Sequence, residues 1–388
     1  MTVNVTKPQI NVREKLSELD KPSGIAGEAI LRSETPQEVF NYIGAGRRNL
    51  IINGDMQVAQ RGTSGSVSNS SNTYLLDRFF SRIQGSAGSA TVSQDSDSPN
   101  GFDKSLKFTV GTADTSLGSG HYQRVHQSIE GFNILPLAWG TSDAKPATLS
   151  FWVKGSIAGI YSVGVYNGGA NRSFVSEYQI NQSNTWEYKI INIPPTTSGT
   201  WEIDNTAELQ LSFSLGSDSL YSTSSLDIWQ NAFKFSSDNT INLMATSGAT
   251  WQVTGVQLEV GKVATPSEHR SYGEELALCQ RYCQMFNASE WDDPYRRFAT
   301  ALLNTTVNYN AILHLVKPMR ANPTLATNGT FNLWNGSFLG SVSAPTIQSA
   351  DNKVICIGGG TGTGTQGGIY HLLADNNNTT YMLFDAEL

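Results

Sequence analysis

Apolar and polar side chains alternate with a period of two over much of the chain. In the run ELQLSFSL at 208–215, Leu209, Leu211, Phe213 and Leu215 alternate with polar residues. This pattern puts one face of a strand in a core and the other in water. TWEYKIINI reads similarly, with Trp186, Tyr188, Ile190 and Ile193 marking the apolar side. Further strands are predicted at 49–52, 105–110, 149–154, 161–166, 173–180 and 251–260. Turn-rich stretches such as NGGANR and PPTTSGT separate them. Many short strands without intervening helices predict a two-sheet sandwich or jelly roll over 49–270.

The spacing becomes helical in two places. SYGEELALCQRYCQMF predicts a linking helix over 271–286, opened by a Ser271/Glu274 capping box, with Leu276, Cys279, Tyr282, Cys283 and Phe286 on its buried face. TPQEVFNYIGAG predicts a short helix with Thr35 as N-cap, Pro36 at its first position and Gly44 at its end. Val39, Phe40 and Ile43 give that helix an apolar face. Its surroundings over 1–48 are polar and broken by Pro22 and Gly24, so this N-terminal arm has no core of its own and needs a surface to dock on. Residues 287–388 predict a smaller C-terminal β domain, with strands at 297–303, 306–315, 330–334, 353–357, 368–373 and 381–384. KPMRANPT is an extended link, and GGGTGTGTQGG at 358–368 is a loop or hairpin tip. The predicted fold class is therefore mainly β.

Composition narrows the function. Only 15% of the 388 residues are charged, and the net charge is −7. A nucleic-acid groove needs a basic stripe that this balance does not supply. No run reaches the roughly 18 to 20 apolar residues that cross a bilayer, and the first twenty residues hold no apolar signal core, so no membrane insertion is expected and folding in a cytoplasm is. Cys279, Cys283 and Cys356 make no disulfide framework and read as free thiols.

Catalytic signatures are missing from the sequence. It contains no GxSxG, HExxH or GxxxxGK[ST]. None of His121, His126, His269, His314 and His371 has a sequence neighbour that would orient it as a general base. Gly362, Gly364 and Gly367 match GxGxxG, but strand and loop follow where a phosphate site needs a helix. Asp292 and Asp293 are adjacent and point apart in an extended chain. Asp95, Asp97 and Asn100 sit in a turn without the rest of an EF-hand loop. Sugar recognition would instead use aromatic faces. Trp139, Trp201, Trp291 and Trp334 lie near turns or strand ends, with Trp201 and Trp334 the candidates for glycan stacking. Trp152, Trp186 and Trp251 fall inside strand patterns and are expected in the core.

Several segments, taken in order, resemble a module of tailed-bacteriophage structural proteins. NLIINGDMQVAQRGTS at 49–64 resembles its opening. DRF at 77–79, LSFWVKGS at 149–156 and TGVQLEVGKVATPSEHRSYGEELALCQRYCQMF at 254–286 resemble its body and close, and KPMRANPT its following link. The resemblance implies a carbohydrate-binding-like jelly roll in a tail-fibre or receptor-binding type protein, usually oligomeric. It also implies that the opening and closing segments lie side by side, where Asp55 and Glu259 would join backbone carbonyls around a structural calcium. No other cofactor is expected. The expectation is a non-enzymatic virion protein, assembled in the host cytoplasm as a homotrimer. Residues 1–48 would grip the phage tail or other virion proteins, and the β domains would meet a host surface glycan. A capsid-decorating or vertex fibre and a polysaccharide depolymerase are the competing readings.

Overall fold

The computed structural model describes Val39 and residues 47–67, 69–289, 293–360 and 364–388. The chain divides into two compact units, one comprising residues 1–48 with 265–268, the other the remainder. In the first, Val39 is helical and half-buried, while Phe40 and Ile43 lie outside the described residues. Arg48 anchors that unit: its backbone N–H donates to the Glu268 carboxylate at 2.6 Å and its guanidinium to Thr265 Oγ1 and the Pro266 carbonyl.

The second unit is almost entirely antiparallel β-sheet. Its body is a jelly-roll β-sandwich. One sheet has six strands in the order Ser64–Ser66, Ala90–Asp95, Ser105–Val110, Thr250–Val260, Ala147–Gly155 and Glu187–Ile193. The other has seven, in the order Trp229–Gln230, Ser173–Ile180, Gly159–Asn167, Ala207–Ser217, Tyr122–Glu130, Phe79–Gln84 and Thr73–Tyr74. Sequence neighbours are repeatedly split between the sheets, as in a jelly roll. The inner faces meet in one core that includes Phe108, Phe151, Phe213, Trp251 and Leu258. Phe151 packs edge-to-face on both Tyr178 and Phe213, at 5.1 Å between ring centroids in each case.

The predicted strand at 49–52 is absent. Leu50 makes a backbone bond to Leu258, but Asn49 spends its side chain on the same neighbour: Oδ1 accepts from Ile51 N–H and Leu258 N–H, and Nδ2 donates to the Val256 carbonyl. A side chain that bonds backbone in this way competes with a strand ladder.

The face assignment of TWEYKIINI is also corrected. Ile191 and Ile193 are the buried residues, whereas Tyr188 and Ile190 are exposed and Trp186 is half-buried. The strand pairs with Ala147–Gly155 so that Tyr188 lies opposite Trp152. Phe151 and Val153 face the core, so Trp152, between them, must face out.

The helix is shorter than its periodicity suggests. Ser271 and Glu274 form the predicted capping box, but the helix runs only over Tyr272–Cys279. Cys283–Asn287 is a strand instead, paired with Tyr381–Asp385, itself paired with Thr324–Asn328. A ladder partner about a hundred residues away overrides the local period and leaves no trace in it. A seven-stranded sheet completes this part, in the order Phe338–Val342, Phe331–Trp334, Ile369–Ala374, Arg297–Leu303, Asn308–His314, Val354–Gly360 and Thr346–Ala350. One face carries a second core that includes Leu303, Tyr309, Phe331, Ile357 and Leu372. The opposite face leaves Leu302, Ile312 and Ile369 exposed. Cys279 and Cys283 are buried and Cys356 half-buried, all free thiols, and burial pushes the first two well above the usual thiol range.

Candidate functional site

The structure separates the sequence-predicted site residues. Trp201 is not a surface ring. It packs edge-to-face on Trp139 at 5.0 Å and Trp229 at 5.9 Å, and its indole N–H donates to the Ser198 carbonyl. Trp201 and Trp139 are buried in the sandwich core, with Trp229 half-buried against them, so Trp201 is not placed to stack on a sugar. Trp291 and Asp292 lie outside the described residues, and Asp293 accepts from Tyr295 N–H as a turn carboxylate.

The opening segment does adjoin the strand Thr250–Val260, because Gly54 accepts from Val256 N–H. Its oxygens are nonetheless engaged. Asn53 Oδ1 accepts from Val58 N–H, and the Asp55 carboxylate meets His269 Nδ1 at 3.2 Å. Burial pushes the Asp55 carboxyl up, with the His269 charge opposing it. Glu259 is buried, accepts from Gln257 Nε2 at 2.9 Å, and lies three residues beyond Val256, roughly 10 Å along a strand. This donor set does not fit a calcium ion, which needs six to eight converging oxygens. The described residues contain no group of three or more His, Cys, Asp or Glu side chains suited to a metal. Asp55 and His269 form a spatial pair that adjacency in sequence does not reveal. Among the described residues no hydroxyl or thiol hydrogen-bonds His269.

Trp334, by contrast, is half-buried on the outer face of the C-terminal sheet. Phe331–Trp334 is the second strand of the C-terminal sheet, and alternation sends Phe331 and Leu333 into the core and Asn332 and Trp334 to the outer face. Cross-strand register sets His371 beside Trp334 on one side and Phe338 on the other. The His371 and Trp334 rings stack at 6.1 Å with 23° between planes. Phe338 is 51% exposed and packs at 5.6 Å on Tyr295, itself 41% exposed. Arg297 lays its guanidinium 5.1 Å from the Trp334 ring centroid. A β-bulge between Arg297 and Ala299 turns Arg297 onto this face. On neighbouring strand positions, Asn332 Nδ2 donates to Asp375 Oδ1 at 3.1 Å and Ser341 Oγ to Asp375 Oδ2 at 2.9 Å. The Asn332 Oδ1 is buried without a hydrogen-bond partner. The result is a set of fixed aromatic faces flanked by a cation, an imidazole and an amide–carboxylate–hydroxyl chain.

A second aromatic surface was missed because its rings were assigned to the core. Trp152 and Tyr188 pair at 5.3 Å on the outer face of the six-stranded sheet. Nearby, Trp186 donates its indole N–H to Asp97 at 3.0 Å, and the Lys154 ammonium lies 5.6 Å from the Trp186 ring centroid. The charges there cancel in pairs: Lys154 with Asp97 and Lys107 with Asp95. The signal for outward rings was the register against Phe151 and Val153, which a single strand does not reveal.

A cleft beside the helix is lined by Gln60, Tyr272, Leu276, Met285, Phe286 and Arg296 among other described residues.

No family model matches the chain, and no curated protein matches it in sequence. Among solved structures it is similar to the enzymatically active domain of tailspike protein 4 of bacteriophage CBA120, at 14% identity and a TM-score of 0.31 over 57% of this chain. The match spans 22% of that tailspike chain. It is also similar to TmCBM61 in complex with β-1,4-galactotriose, at 11% identity and a TM-score of 0.28 over 55% of this chain and 100% of the other. A family 11 carbohydrate-binding module of a Clostridium thermocellum cellulosomal cellulase is similar at 15% identity and a TM-score of 0.26, over 56% of this chain and 97% of the module. The strand order within the chain, rather than these distant likenesses, makes its body a jelly-roll β-sandwich.

Proposed function

We propose that this protein is a non-enzymatic glycan-recognition subunit of a tailed-phage virion, of tail-fibre or tail-tip type. The observation that carries the glycan reading is the Trp334 surface. Pyranose rings present C–H faces that pack on aromatic rings and hydroxyls that need planar hydrogen-bonding partners. Trp334, His371, Phe338 and Tyr295 supply the first, with Asp375 and Ser341 beside them and the buried Asn332 holding Asp375. Register and stacking hold these rings before any ligand arrives, which reduces the ordering cost of binding.

The virion assignment follows from the ordered segment resemblance across 49–325 and the arm at 1–48. In this reading the arm attaches to the particle, the β domains face the host, and three copies assemble. Calorimetric titration of the purified chain against host-envelope polysaccharide tests recognition directly. Saturable binding that falls at least tenfold in Trp334→Ala is the expected result, and undiminished binding in that variant overturns the assignment to this surface. Deleting 1–48 should abolish incorporation into particles while leaving the sandwich folded, and a mass of one chain in solution would overturn the trimer.

A further inference from the structure

We infer that the Trp334 surface selects an anionic saccharide, a pyranose bearing a carboxylate or a phosphate. This rests on the glycan reading above and adds the ligand's charge. Arg297 is exposed and forms no ion pair among the described residues, although a carboxylate, Asp375, belongs to the same surface. Asp375 is instead held by Asn332 and Ser341, each of which donates to a different one of its two oxygens. The Arg297 guanidinium therefore keeps its donors for something that arrives. Its five N–H groups form a planar fork that matches a carboxylate or phosphate, and the guanidinium lies 5.1 Å from the indole centroid.

The Trp152–Tyr188 surface provides the internal contrast. It has rings of the same kind, yet each of its two cations, Lys107 and Lys154, has a carboxylate partner at contact distance. Aromatic rings on an outer sheet face thus occur in this chain both with charge cancelled and with a cation left over. Only the second arrangement discriminates by ligand charge. The bulge that brings Arg297 to the outer face interrupts a ladder, a local cost borne at this one place on the Arg297–Leu303 strand.

The test uses the full chain and four probes: polygalacturonate oligomers, sialic-acid oligomers, phosphomannan, and polygalacturonate whose carboxyls have been reduced to alcohols. We expect at least one anionic probe to bind, and about tenfold or more weaker binding when Arg297 is replaced by Gln, the scale of a lost charge-assisted hydrogen bond. Arg297→Lys should retain part of the affinity, and high salt should weaken the wild type but not Arg297→Gln. Preference among the anionic probes separates carboxylate from phosphate. Equal affinity for the native and reduced polygalacturonate, with Arg297→Gln unchanged and Trp334→Ala null, overturns charge selection and leaves sugar binding at Trp334 standing. Binding lost in Trp152→Ala but kept in Trp334→Ala overturns the site. No binding to any probe overturns this inference, and the host-polysaccharide titration then decides the glycan reading separately.

Discussion

Arg78 places its guanidinium 3.4 Å from the ring centroid of Tyr282, and both side chains are buried. Arg78 belongs to the sandwich, while Tyr282 lies between the helix and the strand that pairs with Tyr381–Asp385. The same guanidinium pairs with the Glu387 carboxylate and donates to the Ser128 carbonyl. Glu387 also meets Arg61 at 3.3 Å. Arg320 donates to the carbonyls of Ala386, Glu387 and Asn205, and Tyr74 to that of Leu388. Residues 385–388 are thus fastened to the sandwich, with the Arg61, Arg78 and Glu387 side chains nearly fully buried.

Removing one member of such a pair leaves the other buried and uncompensated, at a cost of about 3–5 kcal/mol. Glu387→Ala should therefore lower the free energy of unfolding by that amount, read by urea denaturation. Arg78→Met should cost less than Glu387→Ala, because Glu387 keeps Arg61 at 3.3 Å as a partner. Loss below about 1 kcal/mol in Glu387→Ala would show that the pair is solvated in solution.

Asp77 gives the fold a pH dependence of definite sign. It is fully buried, and desolvation pushes its carboxyl up to about 6, with Arg61 and the Gln60 hydrogen bond opposing. Its folded pKa thus lies above the unfolded value of 3.8. The folded state holds this proton more tightly, so the Asp77 contribution favours folding below the unfolded pKa and is lost as pH rises through about 6. At about 1.4 kcal/mol per pKa unit, the difference is on the order of 3 kcal/mol. Comparing wild type with Asp77→Asn isolates it: stability relative to the Asn variant should fall between pH 4 and 7. A relative stability that rises over this range would mean the Arg61 pair dominates desolvation.

Some of this architecture was readable in the sequence, and the unread parts share a cause. Strands such as Ser105–Val110, Ser173–Ile180 and Arg297–Leu303 coincide with their predicted spans because each buries one face. Tyr122–Glu130 was missed although all nine residues are buried. Its polar side chains look like a solvated face, but each meets a distant partner. Gln123 donates to the Leu215 carbonyl, Arg124 to Tyr166 and Gln127 to the Ile52 carbonyl, while Glu130 accepts a forked pair of bonds from Arg281. Burial of polar groups against non-local partners carries no periodic signal. At the candidate site, Trp334 was legible as a ring at a strand end. Arg297, His371, Phe338 and Asp375 were not, because register and a bulge bring them together.

Gly54 should tolerate no side chain. A Cβ there would lie 2.2 Å from the Val256 carbonyl oxygen, which is backbone and cannot rotate aside. Gly54→Ala must push the opening segment off the strand Thr250–Val260, at about 1–3 kcal/mol for an overpacked contact. A matching fall in Tm is expected by calorimetry. An unchanged Tm would show that this segment yields without loss.

The tryptophans provide the sharpest stability contrast. Trp201 is buried against two indoles, so Trp201→Ala should cost about 3–5 kcal/mol. Trp152 lies on the outer face beside Tyr188 with one side toward water, and Trp152→Ala should cost about 1 kcal/mol, the worth of an aromatic pair. Parallel urea titrations of the two variants measure both. The order matters because the sequence pattern alone predicts the reverse, with Trp152 inside a strand and Trp201 beside a turn. Equal losses would mean that Trp152 is covered in solution, as an interface between copies would cover it. A sedimentation experiment on the same Trp152→Ala sample would then show a smaller assembly than the wild type.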